Sequence, residues 1–151
     1  MVLKHAMWVH GNAAKIQDSG PWMNIIPNGW GTHFKMANQF HWIHIPFTLP
    51  IIIDGIRPQL SKALILYKTI GDTKITNIHI WDGAKRIWAM DDLSLQGNHS
   101  TAIDPSNNWS ITPVTVYYGM GYSLGVQFGA TKDNTVPELV IYGAGADLTT
   151  P

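Results

Sequence analysis

The chain consists of short segments in which apolar and polar side chains alternate, and this period of two limits the possible folds more than any other feature. No segment carries the sustained three- and four-residue apolar spacing of an amphipathic helix. The alternating runs are rich in isoleucine, valine and aromatic residues, and glycine, proline, asparagine and aspartate separate them. The pattern predicts ten strands, at 6–10, 14–17, 32–37, 40–47, 61–69, 74–81, 86–91, 109–118, 122–130 and 138–142.

Short glycine-containing turns separate several of these strands. An Asp-Gly pair at 82–83 lies between two alternating runs, which is a strong hairpin signal. The segments 71–72 and 119–121 predict two further hairpins. The stretches 18–31 and 96–108 are predicted to be long loops, and loops of this length in a compact domain often carry function.

The number and spacing of the strands predict the architecture. We expect one domain spanning 1–151, because the 151 residues are too few for two full cores. Within it, two antiparallel sheets would pack face to face as a β-sandwich with Greek-key or jelly-roll connections. A closed eight-stranded β-barrel is the alternative. In either case the fold class is all-β.

Alternation also predicts which side chains share a face. In strand 122–130, Tyr122, Leu124, Val126 and Phe128 lie on one side and Ser123, Gly125 and Gln127 on the other. If the aliphatic faces form the core, the opposite faces of three other strands present seven candidate ligand-binding residues: Trp42, His44, Asn77, His79, Trp81, Arg86 and Trp88. Flat aromatic rings beside hydrogen-bonding groups suit a sugar, and they also suit a small, partly apolar metabolite.

Charge and composition narrow the partners. The formal net charge is zero, and charged residues make up 13% of the chain. No basic stripe is present to neutralise phosphates, so we expect no nucleic-acid partner. A near-zero net charge also lowers self-repulsion, which favours a homo-oligomer.

The sequence also bears on the compartment. It contains no cysteine, which excludes disulfides and thiolate metal sites. The first residues lack the apolar run of a signal peptide, and the apolar stretch 50–53 is too short to span a bilayer, so we expect a soluble, cytoplasmic protein without a membrane partner.

Metal, cofactor and catalytic motifs give no assignment. His41 and His44 would point to opposite faces of one strand, so we expect no metal site. The glycine-rich runs 119–130 and 143–148 lack a following helix to receive a phosphate, and we expect no cofactor. His79 with Asp91 or Asp92 is a conceivable base and orienting pair, but nothing in the spacing selects it, and no catalytic residue is assigned.

Three short motifs carry a resemblance to a known family. The opening MWVHGN (7–12), the turn IHIWDG (78–83) and the closing GAGADL (143–148) together resemble a family of small bacterial all-β proteins of unknown function. The resemblance implies a single β-sandwich domain and supplies no activity or site residues.

Three functions remain open from the sequence. The first is a non-catalytic, lectin-like module that binds carbohydrate or a similar small ligand through the aromatic and histidine face. The second is a small cyclase, isomerase or lyase that acts on an apolar metabolite. The third is a structural protein that assembles through exposed strand edges.

Overall fold

A computed structural model describes residues 3–151, which form two antiparallel sheets. The first sheet contains β1 (Leu3–His10), β3 (Asn24–Asn28), β4 (Gly31–Lys35), β6 (Gln59–Ile70), β9 (Asn98–His99), β10 (Asn108–Thr115) and β12 (Glu138–Thr149). The second contains β2 (Lys15–Ile16), β5 (Gln39–Pro46), β7 (Thr73–Asp82), β8 (Lys85–Met90) and β11 (Met120–Phe128). A short 3₁₀ turn, Gly11–Ala13, follows β1.

The strand order confirms the sandwich and excludes the barrel. The first sheet runs β10-β6-β12-β4-β3, with β1 beside the last part of β12 and β9 beside β6. The second runs β2-β5-β11-β7-β8. Both sheets therefore have free edges, and the eight-stranded barrel was the wrong alternative. Within residues 3–151, no helix is long and apolar enough to cross a membrane.

The core lies between the sheets and takes alternate side chains from each strand. On β11, Tyr122 pairs with Ile45 of β5 on one side and with Ile80 of β7 on the other. All three are buried in one hydrophobic cluster. The predicted faces of β5, β7 and β11 are thus confirmed, and their opposite faces point away from the core.

One buried hydrogen bond joins the two sheets through the core. The hydroxyl of Tyr122, in the second sheet, donates to the carbonyl oxygen of Gly145, in the first, at 2.6 Å. Burial raises the pKa of this tyrosine well above its usual value, so the hydroxyl keeps its proton and remains a donor. The bond gives a polar group in the core the partner that it needs there.

The two predicted loops contain strands that the pattern did not indicate. Segment 18–31 includes β3, which pairs with β4 as an edge hairpin. Proline at position 27 hides this strand from a sequence pattern, since proline has no N–H for pairing, but an edge strand tolerates it. Segment 96–108 includes β9, whose two residues pair with β6.

Two of the three predicted hairpins, those at 71–72 and 119–121, are wrong. β10 pairs with β6 in the first sheet, whereas β11 lies in the middle of the second. Segment 116–119 therefore carries the chain from one sheet to the other. The hairpin predicted at 71–72 is wrong for the same reason, because β6 lies in the first sheet and β7 in the second. The hairpin at 82–83 is confirmed, since β7 pairs with β8 around Gly83.

A buried carboxylate holds the crossover segment 116–119 in place. Asp82, at the end of β7, accepts hydrogen bonds from the backbone N–H groups of Tyr117, Tyr118 and Gly119 at 2.8 to 3.1 Å. Burial alone would raise the pKa of Asp82, but these three hydrogen bonds and the nearby Arg57 outweigh it and lower the pKa. The Asp82 carboxylate is therefore charged and fully engaged.

We predict that Asp82→Asn lowers the free energy of unfolding by about 1–2 kcal/mol, because a neutral amide replaces charge-assisted acceptors. The wild-type advantage should be complete above the ordinary carboxyl pKa of 3.8 and shrink as the pH falls through the lower pKa of folded Asp82. Urea unfolding across this pH range measures both effects. Asp92→Asn, at an exposed position with a φ of 56° that asparagine tolerates, is the matched control. Equal losses in both variants would contradict the role of Asp82.

Candidate functional site

The outer face of the second sheet has a floor of small residues between two walls of large ones. On the middle strand β11, the outward positions are Gly121, Ser123 and Gly125. The strands on either side carry the large side chains Trp42, His44, Asn77, His79 and Trp81. A groove therefore follows β11. From Gly121 to Gly125 its floor covers four residue steps, about 13 Å at the rise of an extended strand.

The register places the wall residues in rows across the groove. His44 and His79 both pair with Ser123, so the two imidazoles face each other over the serine. Trp42 and Asn77 form the next row around Gly125, and Trp81 stands beside Gly121. The sequence prediction that Trp42, His44, Asn77, His79 and Trp81 share one face thus agrees with their positions in the sheet.

Two adjoining hollows open along the groove. One, of about 340 Å³, is lined by Gln17, Trp42, His44, His79, Trp81 and Ser123. The other, of about 440 Å³, extends past Trp81 and Gly121 toward Lys15. They share four lining residues, among them His44 and Ser123, and each is large enough for a small ligand.

On one wall, hydrogen bonds fix the ring of His44. Its Nδ1 lies 2.9 Å from the Ser123 hydroxyl, and its Nε2 lies 3.1 Å from Oε1 of Gln17. The Gln17 oxygen can only accept, so Nε2 carries the proton and Nδ1 accepts from Ser123. Burial lowers the pKa of His44, which favours this neutral form at neutral pH.

On the other wall, Asp91 organises two side chains. It accepts hydrogen bonds from Asn77 Nδ2 at 2.6 Å and from His79 Nε2 at 2.7 Å. These two bonds, from Asn77 first and His79 second, lower the pKa of Asp91, which therefore remains a carboxylate. The His79 ring also packs against Trp42, with 4.9 Å between ring centroids, so the walls touch above Gly125.

The two site residues predicted on β8, Arg86 and Trp88, lie on opposite faces of the sheet. Arg86 pairs with Trp81 and lies exposed at the edge of the groove face. Trp88 instead pairs with the buried Ile80 and packs against the core, so its predicted position was wrong. The cause is an irregularity in register between Ile80 and Trp81, which shifts the alternation of β8 by one residue.

Three residues of the site were absent from the predicted set. Ser123 lies on the face that the alternation of β11 had marked as outward, but serine alone carries no ligand signal. Gln17 follows the short edge strand β2, and Phe40 packs edge-on against Trp42 at 5.7 Å. Alternation places Phe40 on the same face as Trp42, whereas Gln17 reaches the site only through the pairing of β2 with β5.

Within the described part of the chain, this face holds no cluster of side chains that could bind a metal ion. Among the described residues 3–151, no three histidine, aspartate or glutamate side chains converge as ion ligands. The histidines of the groove have instead Ser123, Gln17 and Asp91 as hydrogen-bond partners.

Comparison with protein families identifies the group to which this chain belongs. A model of a family of unknown function, DUF6623, matches residues 2–149. The chain is a member of that family, and the resemblance seen in its three short motifs is confirmed as one to a family without an assigned function. No curated protein matches the chain.

Solved structures place the fold among β-sandwiches. A xylan-binding module, CBM86, from the gut symbiont Roseburia intestinalis is similar over 97% of both chains, with a TM-score of 0.52 and 11% sequence identity. An exo-β-1,3-galactanase from Phanerochaete chrysosporium matches 95% of this chain and 29% of its own length, with a TM-score of 0.41 and 11% identity. The first similarity establishes a shared fold.

We predict that Gly125→Ala destabilises the protein and disturbs the groove. A Cβ at this position would lie 2.6 Å from Oδ1 of Asn77 and 3.0 Å from Cζ of Phe40, so both side chains must move. We expect a loss of about 1–3 kcal/mol in the free energy of unfolding, as for other overpacked sites.

Gly121→Ala is the matched control, four residues along the same strand face. The nearest atom to a Cβ there is the Ile45 carbonyl oxygen at 3.8 Å, an ordinary contact. Its stability should change by about 0.5 kcal/mol or less. If Gly125→Ala were as stable as Gly121→Ala in urea unfolding, close packing of the floor would be disproved.

Proposed function

We propose that this protein is a non-catalytic carbohydrate-binding module and that the groove along β11 is its binding site. The proposal rests on one observation: two indoles, Trp42 and Trp81, lie beside polar side chains of fixed orientation along one open groove. The apolar faces of pyranose rings pack on indoles, while their hydroxyls need donors and acceptors at defined positions.

The polar groups of the groove are suited to neutral hydroxyls. Beyond their bonds to Asp91, His79 can accept from a hydroxyl through Nδ1 and Asn77 can donate to one through its second N–H, and Asp91 holds both side chains in orientation. Side chains fixed in this way lose little conformational freedom when a ligand binds. This supports a preformed site for an uncharged sugar chain.

The shape of the groove supports an extended ligand. Trp42 and Trp81 flank opposite ends of a floor about 13 Å long, on opposite walls, and both line the first hollow. The adjoining hollows extend the surface toward Lys15. An oligosaccharide laid along β11 would contact both indoles.

The same contacts support binding rather than proton transfer. Asp91 is held as a carboxylate by its lowered pKa, so it is a poor proton donor near neutral pH. Both ring nitrogens of His44 already have hydrogen-bond partners within the chain. A general acid or base needs a proton that it can exchange with the substrate, and these groups are engaged in positioning each other.

We predict that Trp42→Ala and Trp81→Ala each weaken oligosaccharide binding by about tenfold or more, which is about 1.4 kcal/mol. The fold shared with a xylan-binding module makes xylan oligosaccharides the first ligands to test, followed by a wider glycan panel. Calorimetry or tryptophan fluorescence measures the affinity.

Trp30→Ala is the matched control, because this indole is 60% exposed and lies immediately before β4 of the other sheet, with its Nε1 bonded to His33. Its affinity should stay within about twofold of wild type, and circular dichroism should show all three variants folded. A wild-type protein that binds no glycan of the panel, or equal losses in all three variants, would refute the groove as a carbohydrate site.

A further inference from the structure

The two motifs at the ends of the chain meet on the opposite side of the sandwich from the groove. The opening motif lies on β1 and the closing glycine-rich motif on β12, and these strands pair antiparallel, with Trp8 opposite Gly145 and His10 opposite Gly143. Met7 and Val9 pack against the core. Trp8 lies between them in sequence and so points outward, onto the outer face of the first sheet.

The indole of Trp8 lies flat on the glycine backbone. A Cβ added to Gly145 would lie 2.7 to 2.9 Å from three ring atoms of Trp8, and one added to Gly143 would lie 3.8 Å from a fourth. One face of the ring is thus pressed against the strand, yet the residue remains 46% exposed. Glycine within a strand weakens it, and here it leaves the space for a flat aromatic platform.

A hollow of about 280 Å³ adjoins this platform. It is lined by Trp8, Leu66 of β6 and the loop residues Ser100, Thr101, Ala102 and Ile103. An indole with one free face thus stands beside two hydroxyl side chains. The groove offers the same combination of aromatic surface and hydrogen-bonding groups.

The loop that forms the rim of this hollow is held rigid from within. Asn107 is fully buried, and its side-chain amide donates to the carbonyl oxygens of His99 and Ala102. Its Oδ1 accepts from the N–H of Asp104 at 2.7 Å. Segment 96–108, predicted from its length to be a functional loop, therefore presents Ser100 and Thr101 in a fixed position beside Trp8.

We infer that Trp8, with Ser100 and Thr101, forms a second carbohydrate-binding surface on the first sheet. The ligand class, a neutral pyranose chain, rests on the function proposed for the groove, whereas the site itself is built from separate residues on the other sheet. The two surfaces face away from each other across the sandwich. A single chain would then hold two glycan strands, one on each side.

The test follows the indole N–H signals of the seven tryptophans by nuclear magnetic resonance during titration with a xylan oligosaccharide, since this readout works at weak affinity. The Trp8 signal, assigned from its absence in Trp8→Ala, should shift with a dissociation constant of its own. It should shift equally in Trp42→Ala, where the groove is impaired.

Because removal of Trp8 could itself disturb the fold, a second variant tests the same surface with Trp8 in place. Ala102→Gln fills the hollow from an exposed loop position and leaves the packing of Trp8 on Gly145 untouched. In this variant the shift of the Trp8 signal should fall by about tenfold at a given ligand concentration, while the Trp42 and Trp81 signals respond as in wild type.

The outcomes separate the two proposals. If the Trp42 and Trp81 signals shift and that of Trp8 does not, or if the Trp8 shift disappears in Trp42→Ala, the second surface is disproved and the groove stands. If the Trp8 signal alone shifts, the second surface stands and the groove is disproved. A spectrum in which no indole signal responds to any glycan overturns both.

Discussion

The packing of two sheets around one core is the constraint on which the rest of the structure depends. The core takes alternate side chains of β5, β7 and β11, apart from one irregularity in β7 between Ile75 and Asn77, and the hydroxyl of Tyr122 reaches across it to Gly145. The remaining side chains of these strands are directed outward by the same pleat. The groove is therefore a consequence of core formation. Once the aliphatic faces are buried, the indoles and imidazoles of these strands lie together on the outer face of the second sheet.

The groove depends further on the order of the strands. Its floor exists because the strand with small outward residues, β11, lies between two strands with large ones. Were β11 at an edge, the same residues would form a flat border. Being central, β11 is hydrogen-bonded along both sides, so the floor is held firmly, while Gln17 beside the two-residue strand β2 is the least supported part of the walls.

Alternation in the sequence was sufficient to predict the sandwich, because the period of two is a local property. Of the seven predicted site residues, it placed five correctly on the groove face and a sixth, Arg86, at the border of that face. It failed where the geometry is not local. The position of Trp88 depends on one irregularity in the pairing of β7 with β8, and no residue type in the sequence indicates that irregularity. Segments 71–72 and 119–121 have the glycines of hairpin turns, but at both places the chain crosses between the sheets. At the second crossover the backbone N–H groups bond to Asp82, which comes from another strand. The partners Gln17 and Ser123 become neighbours of His44 only through strand pairing.

The division of each strand into an inward and an outward set has a consequence for how such proteins diverge. Replacing Trp42 or Trp81 changes the outer surface without opening a cavity among Ile43, Ile45 and Ile80 beneath it. Descendants of one ancestral chain can thus exchange the surface that meets the environment while inheriting the interior unchanged. A family built on this plan is free to acquire different ligands in different members, each at little risk to the ability to fold.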